Sequence, residues 1–217
     1  MKKIAYFSFL ISLFFISLLS VRANVKKPLS GKKIIIDAGH GGVDPGTVVD
    51  DIYEKDVNLQ ISIYLKDTLE KKGAKVLMTR DGDYDLASPN AFYRKKSDFD
   101  NRISLINNSN ADMFLSIHLN YLSDFTYGGP QVFHLDNNIL AQSIQNSLNN
   151  KLKGNRNIKL IPNDTYMYKR IKITGVLIEC GFLSNETDRN NLIDKKYQIK
   201  VANSISNGII NYFTKTS

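Results

Sequence analysis

Apolar residues recur along this chain with two periods, and the switches between them lay out alternating strands and helices. The β-branched run KKIIID (residues 32–37) reads as a central strand that breaks into the glycine-rich AGHGG. Val57, Ile61, Leu65 and Leu69 follow at helical spacing, which predicts a helix capped by Asp50 or Asp51 and stopped by Gly73. AKVLMTR (74–80) is a second strand. Residues 81 to about 99 are polar, rich in Asp and Tyr and interrupted by Pro89, so a long surface loop is expected. A helix from about 100 to 109 carries Ile103 and Ile106, and DMFLSIH (112–118) is a third strand. Residues 131–134 suggest a short strand, and 139–152 a helix with Ile144 and Leu148 inward. GVLIEC (175–180) is a buried strand, and 198–213 close the chain as a helix on Ile199, Ala202, Ile205 and Ile209, with 214–217 fraying. Such alternation predicts an α/β fold: a three-layer α/β/α sandwich around a central, mostly parallel (mixed) sheet.

Ahead of that domain stands an unbroken apolar run, residues 4–21, preceded by Lys2 and Lys3 and followed by Val21-Arg22-Ala23 at the spacing of a cleavage site. The run is longer than most export-signal cores and just long enough to span a bilayer. Residues 1–24 are therefore expected to be a cleaved signal peptide or a retained N-terminal membrane anchor. Either sends 25–217, a single domain, across the cytoplasmic membrane. A content of 42% hydrophobic and 23% charged residues supports a packed core and excludes wholesale disorder. One cysteine, Cys180, excludes an internal disulfide and any multi-cysteine metal cage; within its apolar strand it reads as a small buried hydrophobe. The net charge of +8 suits anionic wall polymers. A nucleic-acid partner is disfavoured, because the lysines are dispersed and no aromatic-interleaved basic motif occurs.

Ligands in open α/β sheets bind at the carboxyl ends of the strands. His40 follows the first strand, His118 ends the third, Glu179 lies near the end of GVLIEC, and Glu54 opens the first helix. Each has a plain structural reading. His40 fits a turn histidine bonded to nearby backbone, His118 a satisfied core histidine, and Glu54 a carboxylate favoured by the helix dipole. Glu179 is harder to place, since a charge among Val, Leu and Ile costs several kcal/mol unless paired; edge exposure is its structural alternative. Two histidines and a carboxylate with an open fourth position are the composition of a hydrolytic zinc site, although spacings of 14 and 64 residues match no local zinc motif. His134 has nothing nearby to make it a ligand.

The segments IIIDAGHGGVDPGT, YEKDVNLQIS, MTRDGDYDL, ADMFLSIHLN and VLIECGFLSNETD occur in this order. Together they resemble the zinc-dependent N-acetylmuramoyl-L-alanine amidases, over nearly the whole exported part. The resemblance implies zinc (Zn2+) on His40, Glu54 and His118, with Glu179 as the catalytic carboxylate. It also implies peptidoglycan as substrate, cut between the lactyl group of muramic acid and L-alanine. Asp37 and the glycines 39, 41 and 42 are expected to shape the site. Arg80 and Arg102 are expected either to meet peptide carboxylates or to form structural ion pairs. Residues 119–130 are too few for the inhibitory helix of division amidases, and the insert at 87–99 looks most like the germination-specific, spore-cortex amidases. A domain without its own lock or wall-binding repeats invites an activating or positioning partner protein. A vegetative wall amidase, a zinc peptidase or deacetylase, and a non-catalytic wall-binding module on the same fold remain alternative readings.

Overall fold

The computed structural model describes residues 27–162 and 165–216, so the apolar leader expected at 1–24 lies outside the described residues. Among the described residues the strands are β1 (Lys33–Ala38), β2 (Val48–Val49), β3 (Ile52–Tyr53), β4 (Lys75–Met78), β5 (Met113–Asn120), β6 (Gln131–His134), β7 (Lys159–Leu160) and β8 (Gly175–Phe182). The helices are α1 (Glu54–Lys71), α2 (Arg94–Asn107), α3 (Asn138–Leu152), α4 (Glu186–Leu192) and α5 (Lys195–Thr216). The main sheet runs β4-β1-β5-β8-β6-β7. β4, β1, β5 and β8 are mutually parallel, while β6 lies antiparallel to β8 and carries β7 parallel to itself. This is the expected mixed, mostly parallel sheet.

Alternating side chains of each strand divide between two cores. Ile34 and Ile36 join Val57, Ile61 and Leu65 of α1, Ile144 and Leu148 of α3, and Val201, Ala202 and Ile205 of α5. Ile35 and Phe114 face the other way, onto Ile106 of α2 and onto Ile161, Met167 and Tyr168. The second layer is thin, one helix and a 3-10 turn (Tyr168–Arg170). Cys180 is buried with the first core, as its strand predicts.

Three local expectations change. Asp50 and Asp51 do not cap α1: both adopt left-handed backbone (φ 48° and 61°) in the turn between β2 and β3, and Tyr53 takes the cap position without a side-chain bond. The long loop ends earlier than expected, because α2 begins at Arg94; Arg94 clamps Asp85 through two guanidinium bonds, and Arg102 reaches Asp98 one turn back. The closing helix starts at Lys195 and continues to Thr216, so residues 214–216 of the tail expected to fray are helical, with the Thr214 hydroxyl donating to Ile210 O. Gly73 does end α1, at φ 98°.

Candidate metal centre at the carboxyl edge of the sheet

The parallel strands β1, β5 and β8 end on one edge, and the functional side chains gather there. His40 sits two residues beyond β1 with φ 61°, a left-handed conformation that a non-glycine residue keeps only under constraint. Two buried arginines supply the constraint. Arg102 donates to His40 O (2.6 Å) and Ala38 O (2.9 Å), and Arg80 donates to Ala38 O and Gly39 O, both at 2.9 Å. Arg80 also binds the carbonyls of Lys55 and Gly82. Both guanidiniums are thus engaged inside the protein and do not reach toward peptide carboxylates. Of the two expected alternatives the structural one holds, as an ion pair of Arg102 with Asp37 and Asp98 and as carbonyl bonding for Arg80.

Asp37 anchors the floor of this edge. Its Oδ1 accepts from Thr79 Oγ1 and Arg102 Nη1, each at 2.7 Å, and its Oδ2 accepts from Ser116 Oγ at 3.2 Å. Burial pushes the Asp37 carboxyl up, but Arg102 and the Thr79 hydroxyl together hold it below the ordinary carboxylate range.

Glu54 stands between the two histidines. Its Oε1 lies 3.2 Å from His40 Nε2 and 3.1 Å from His118 Nδ1. Backbone amides fix it: Leu119 N–H donates to Oε1 (3.1 Å) and Thr47 N–H to Oε2 (2.9 Å), with Asn58 Nδ2 adding a longer bond to Oε1 (3.3 Å). Burial raises this carboxyl, yet the two histidines outweigh it and hold Glu54 well below the usual range. The far nitrogen of His40, Nδ1, donates to Asp44 Oδ2 at 3.0 Å, which turns Nε2 toward Glu54 and His118. Burial would lower His40, but Asp44 and Glu54 more than offset it and raise its pKa to about 9.

Three donor atoms, one from each of His40, Glu54 and His118, lie within 4.8 Å of one another. A carboxylate wedged between two imidazoles needs positive charge, which protons supply at His40 and which a divalent cation would supply in their place. Two imidazole nitrogens and one carboxylate oxygen are also the donor types of a transition-metal site that keeps an open position. The residues therefore fit a metal. The histidine side chains keep 19% and 20% exposure while Glu54 keeps 3%, so the centre opens to a cleft of about 150 Å³ walled by Phe99, Tyr166 and Tyr168.

Glu179 belongs to the same edge but bonds to none of these groups. It is the register partner of His118 across β5 and β8, with Gln131 of β6 on its other side, so the edge-exposure alternative fails. Its Oε2 is sealed and has no hydrogen-bond partner. Burial pushes its carboxyl up to about 7; His118 and His40 oppose the rise and Glu54 adds to it. A register shift follows immediately, between the His118–Glu179 pair and the Asn120–Phe182 pair, as bulges beside functional groups often do.

The four residues singled out in the sequence thus gather at one edge, and His134 lies at the other end of its strand, as its lack of a motif suggests. Asp44 is the residue that sequence reasoning missed. Its signal was present: a carboxylate four positions after His40 in a glycine-rich turn, where chain reversal returns it to the ring.

A three-layer α/β fold with converging histidines and carboxylates at the carboxyl edge defines a hydrolase-type centre, and comparison with known proteins narrows the class. The chain belongs to the N-acetylmuramoyl-L-alanine amidase family Amidase_3, whose model matches residues 34–211. It is 41% identical over 196 residues to the germination-specific N-acetylmuramoyl-L-alanine amidase of Bacillus subtilis, covering 87% of this chain and 82% of that one. Among solved structures it resembles the CwlD amidase of Clostridioides difficile, determined in complex with the GerS lipoprotein, at 40% identity and a TM-score of 0.80, covering 85% of this chain and all of that one. The catalytic domain of the Paenibacillus amidase CwlV shares the fold at 27% identity and a TM-score of 0.72, covering 84% of this chain and 98% of that one.

Proposed function

We propose that this amidase binds zinc at His40, Glu54 and His118 and uses Glu179 as its proton carrier, cutting the bond between the muramic lactyl group and L-alanine. The observation that carries the reading is the pairing of a three-donor cluster with an adjacent, unpartnered carboxylate whose pKa sits near neutrality. Bound zinc would supply a Lewis acid that acidifies water toward pKa ~7 and polarises a carbonyl. The chain's own residues do the rest. Asp44 holds the His40 tautomer, and the Thr47 and Leu119 amides fix Glu54. Glu179 takes the proton of the attacking water and returns it to the departing L-alanine nitrogen, a cycle served best by a carboxyl poised near neutral pH. The nearby cleft, walled by Phe99 and Tyr166, has room for the scissile group while the polymer lies across the open edge.

Spore cortex is the proposed site of action, supported by the 41% likeness to a germination-specific amidase. Export through the leader at 1–24 brings the domain to that compartment. A protein partner is part of the proposal too, supported by the lipoprotein bound to the related CwlD. The test is mass spectrometry of muropeptides after incubating residues 25–217 with cortex and vegetative peptidoglycan, with and without zinc, beside Glu179→Gln. Zinc-dependent release of stem peptides beginning at L-alanine is expected from the parent alone. Release of acetate or of peptide fragments instead would overturn the bond assignment.

A further inference from the structure

The edge opposite the metal centre has a chemistry of its own. Lys33 and Lys75 open the parallel strands β1 and β4 and are register partners. Backbone bonds tie their neighbours into the same surface: Lys75 N–H donates to Lys32 O, Leu29 N–H to Lys72 O, and Lys32 N–H to Leu29 O. Lys27 packs beside Gly73, where a β-carbon would come within 2.8 Å of its own Cβ. Lys27, Lys71, Lys72 and Lys75 are exposed, and none has an ion-pair partner among the described residues. The acids nearby are largely engaged: Glu70 pairs with Lys66 at 2.7 Å, and Asp112 accepts the Lys33 N–H, also at 2.7 Å. Asp67 lies one turn further back along α1.

This surface is also where the chain enters the domain. Lys27 is the first described residue, and the apolar run ends at Val21, six positions earlier. Six residues reach at most about 20 Å when fully extended. The strands hold the metal centre at about the same height above the lysines, since the six residues of β1 rise roughly 20 Å. A leader lodged in a bilayer would therefore present this edge to the lipid headgroups and point the metal centre away from them.

We propose that the Lys27/Lys71/Lys72/Lys75 edge is a docking surface for anionic phospholipid headgroups, which orients the catalytic edge toward the wall. The orienting part and the choice of lipid rest on the leader reading above; the exposed, unpaired lysine cluster itself does not. Anionic wall polymers are the competing occupant, and the position of the chain entry favours lipid over them. Each lysine close to an anionic membrane strengthens binding about fivefold, and the effect is confined to roughly a Debye length, so it is erased by salt.

Among the described residues the six-stranded sheet and both apolar clusters lie within 27–216, so a protein of residues 27–217 is expected to fold without the leader and to read the surface alone. It is expected to co-sediment with vesicles containing phosphatidylglycerol, not with pure phosphatidylcholine, and to release in high salt. Lys71→Glu/Lys72→Glu/Lys75→Glu should weaken that partition about 100-fold or more while hydrolysis of soluble muropeptides stays unchanged, with the unfolding temperature lowered by a few degrees at most because Lys71 leaves the last turn of α1. The milder triple change to Gln should give a smaller loss in the same direction. Equal partition of parent and both variants, or binding to polyglycerol phosphate without binding to vesicles, overturns the proposal. N-terminal sequencing of the full exported chain reports separately whether the leader is kept, so failure of the anchor reading is not confused with failure of the lipid contact.

Discussion

His118 and Glu179 face each other as register partners on the neighbouring parallel strands β5 and β8, yet no hydrogen bond joins them. The carboxylate is left with a sealed, unpartnered oxygen and a pKa raised from 4.5 to about 7. A raised carboxyl means that the folded chain binds more protons than the unfolded chain, so stability falls as pH rises from 4.5 through 7. Glu179→Gln should remove that fall and unfold a few degrees higher than the parent at pH 8. The same variant should lose about 10²–10⁴-fold in kcat with its zinc content intact. Paired calorimetry and muropeptide assays check both, and a variant that is active, or less stable at pH 8, contradicts the role.

Asp44 reaches the metal ligands only through the far side of His40, while also accepting from Gly46 N–H and pairing with Lys95, so its effect should appear in metal binding before turnover. Asp44→Asn is expected to weaken zinc affinity about 10–100-fold, with kcat near the parent value once zinc is saturating. Competition against a chromophoric chelator measures the first quantity and steady-state kinetics the second.

Proton and metal compete for His40. Without a cation its pKa is raised from 6.5 to about 9, so its contribution to stability is full below pH 6.5 and lost as pH climbs through 9. Zinc uptake must release that proton, and apparent affinity should rise about tenfold per pH unit between pH 7 and 9. Titration calorimetry in buffers of different ionisation enthalpy counts the proton; zero released near pH 7.5 would refute the assignment.

Gly39 lies directly against the His118 ring. A β-carbon there would stand 2.3 Å from His118 Cε1, closer than any neighbour tolerates. Gly39→Ala should displace the ring, and metal analysis of the purified variant should find little zinc even if the protein folds.

Arg102 serves the core and the site at once. Replacing it with Met strands the buried Asp37 charge and should cost about 3–5 kcal/mol in urea unfolding. It also frees the His40 carbonyl, so the residual folded protein should bind zinc more weakly than the parent.

Much of this architecture is legible in the chain because burial on both faces leaves unmixed signals. KIIIDA, MFLSIHLN and GVLIECGF could be little else than central strands, and their ends located His40, His118 and Glu179. What stayed hidden depended on partners distant in sequence. Arg94–Phe99 looks like loop because its helix is held by charges, Arg94 on Asp85 and Asp98 under Arg102, rather than by an apolar stripe. Asp50 and Asp51 carry the right chemistry for a cap, but the short β2–β3 pair claims them for its turn. The saturation of Arg80 and Arg102 likewise follows from carbonyls that only the folded edge exposes to them.

Glu54 and His118 are 64 positions apart in a chain whose one cysteine can form no internal disulfide. A cation shared by them would act as a removable cross-link, stapling α1 to β5 across the loop that contains the whole of β4 and α2. Closing a loop of that length stabilises a fold by restricting its unfolded chain, much as a disulfide does. Metal supply would then set how long the enzyme survives proteases as well as how fast it works.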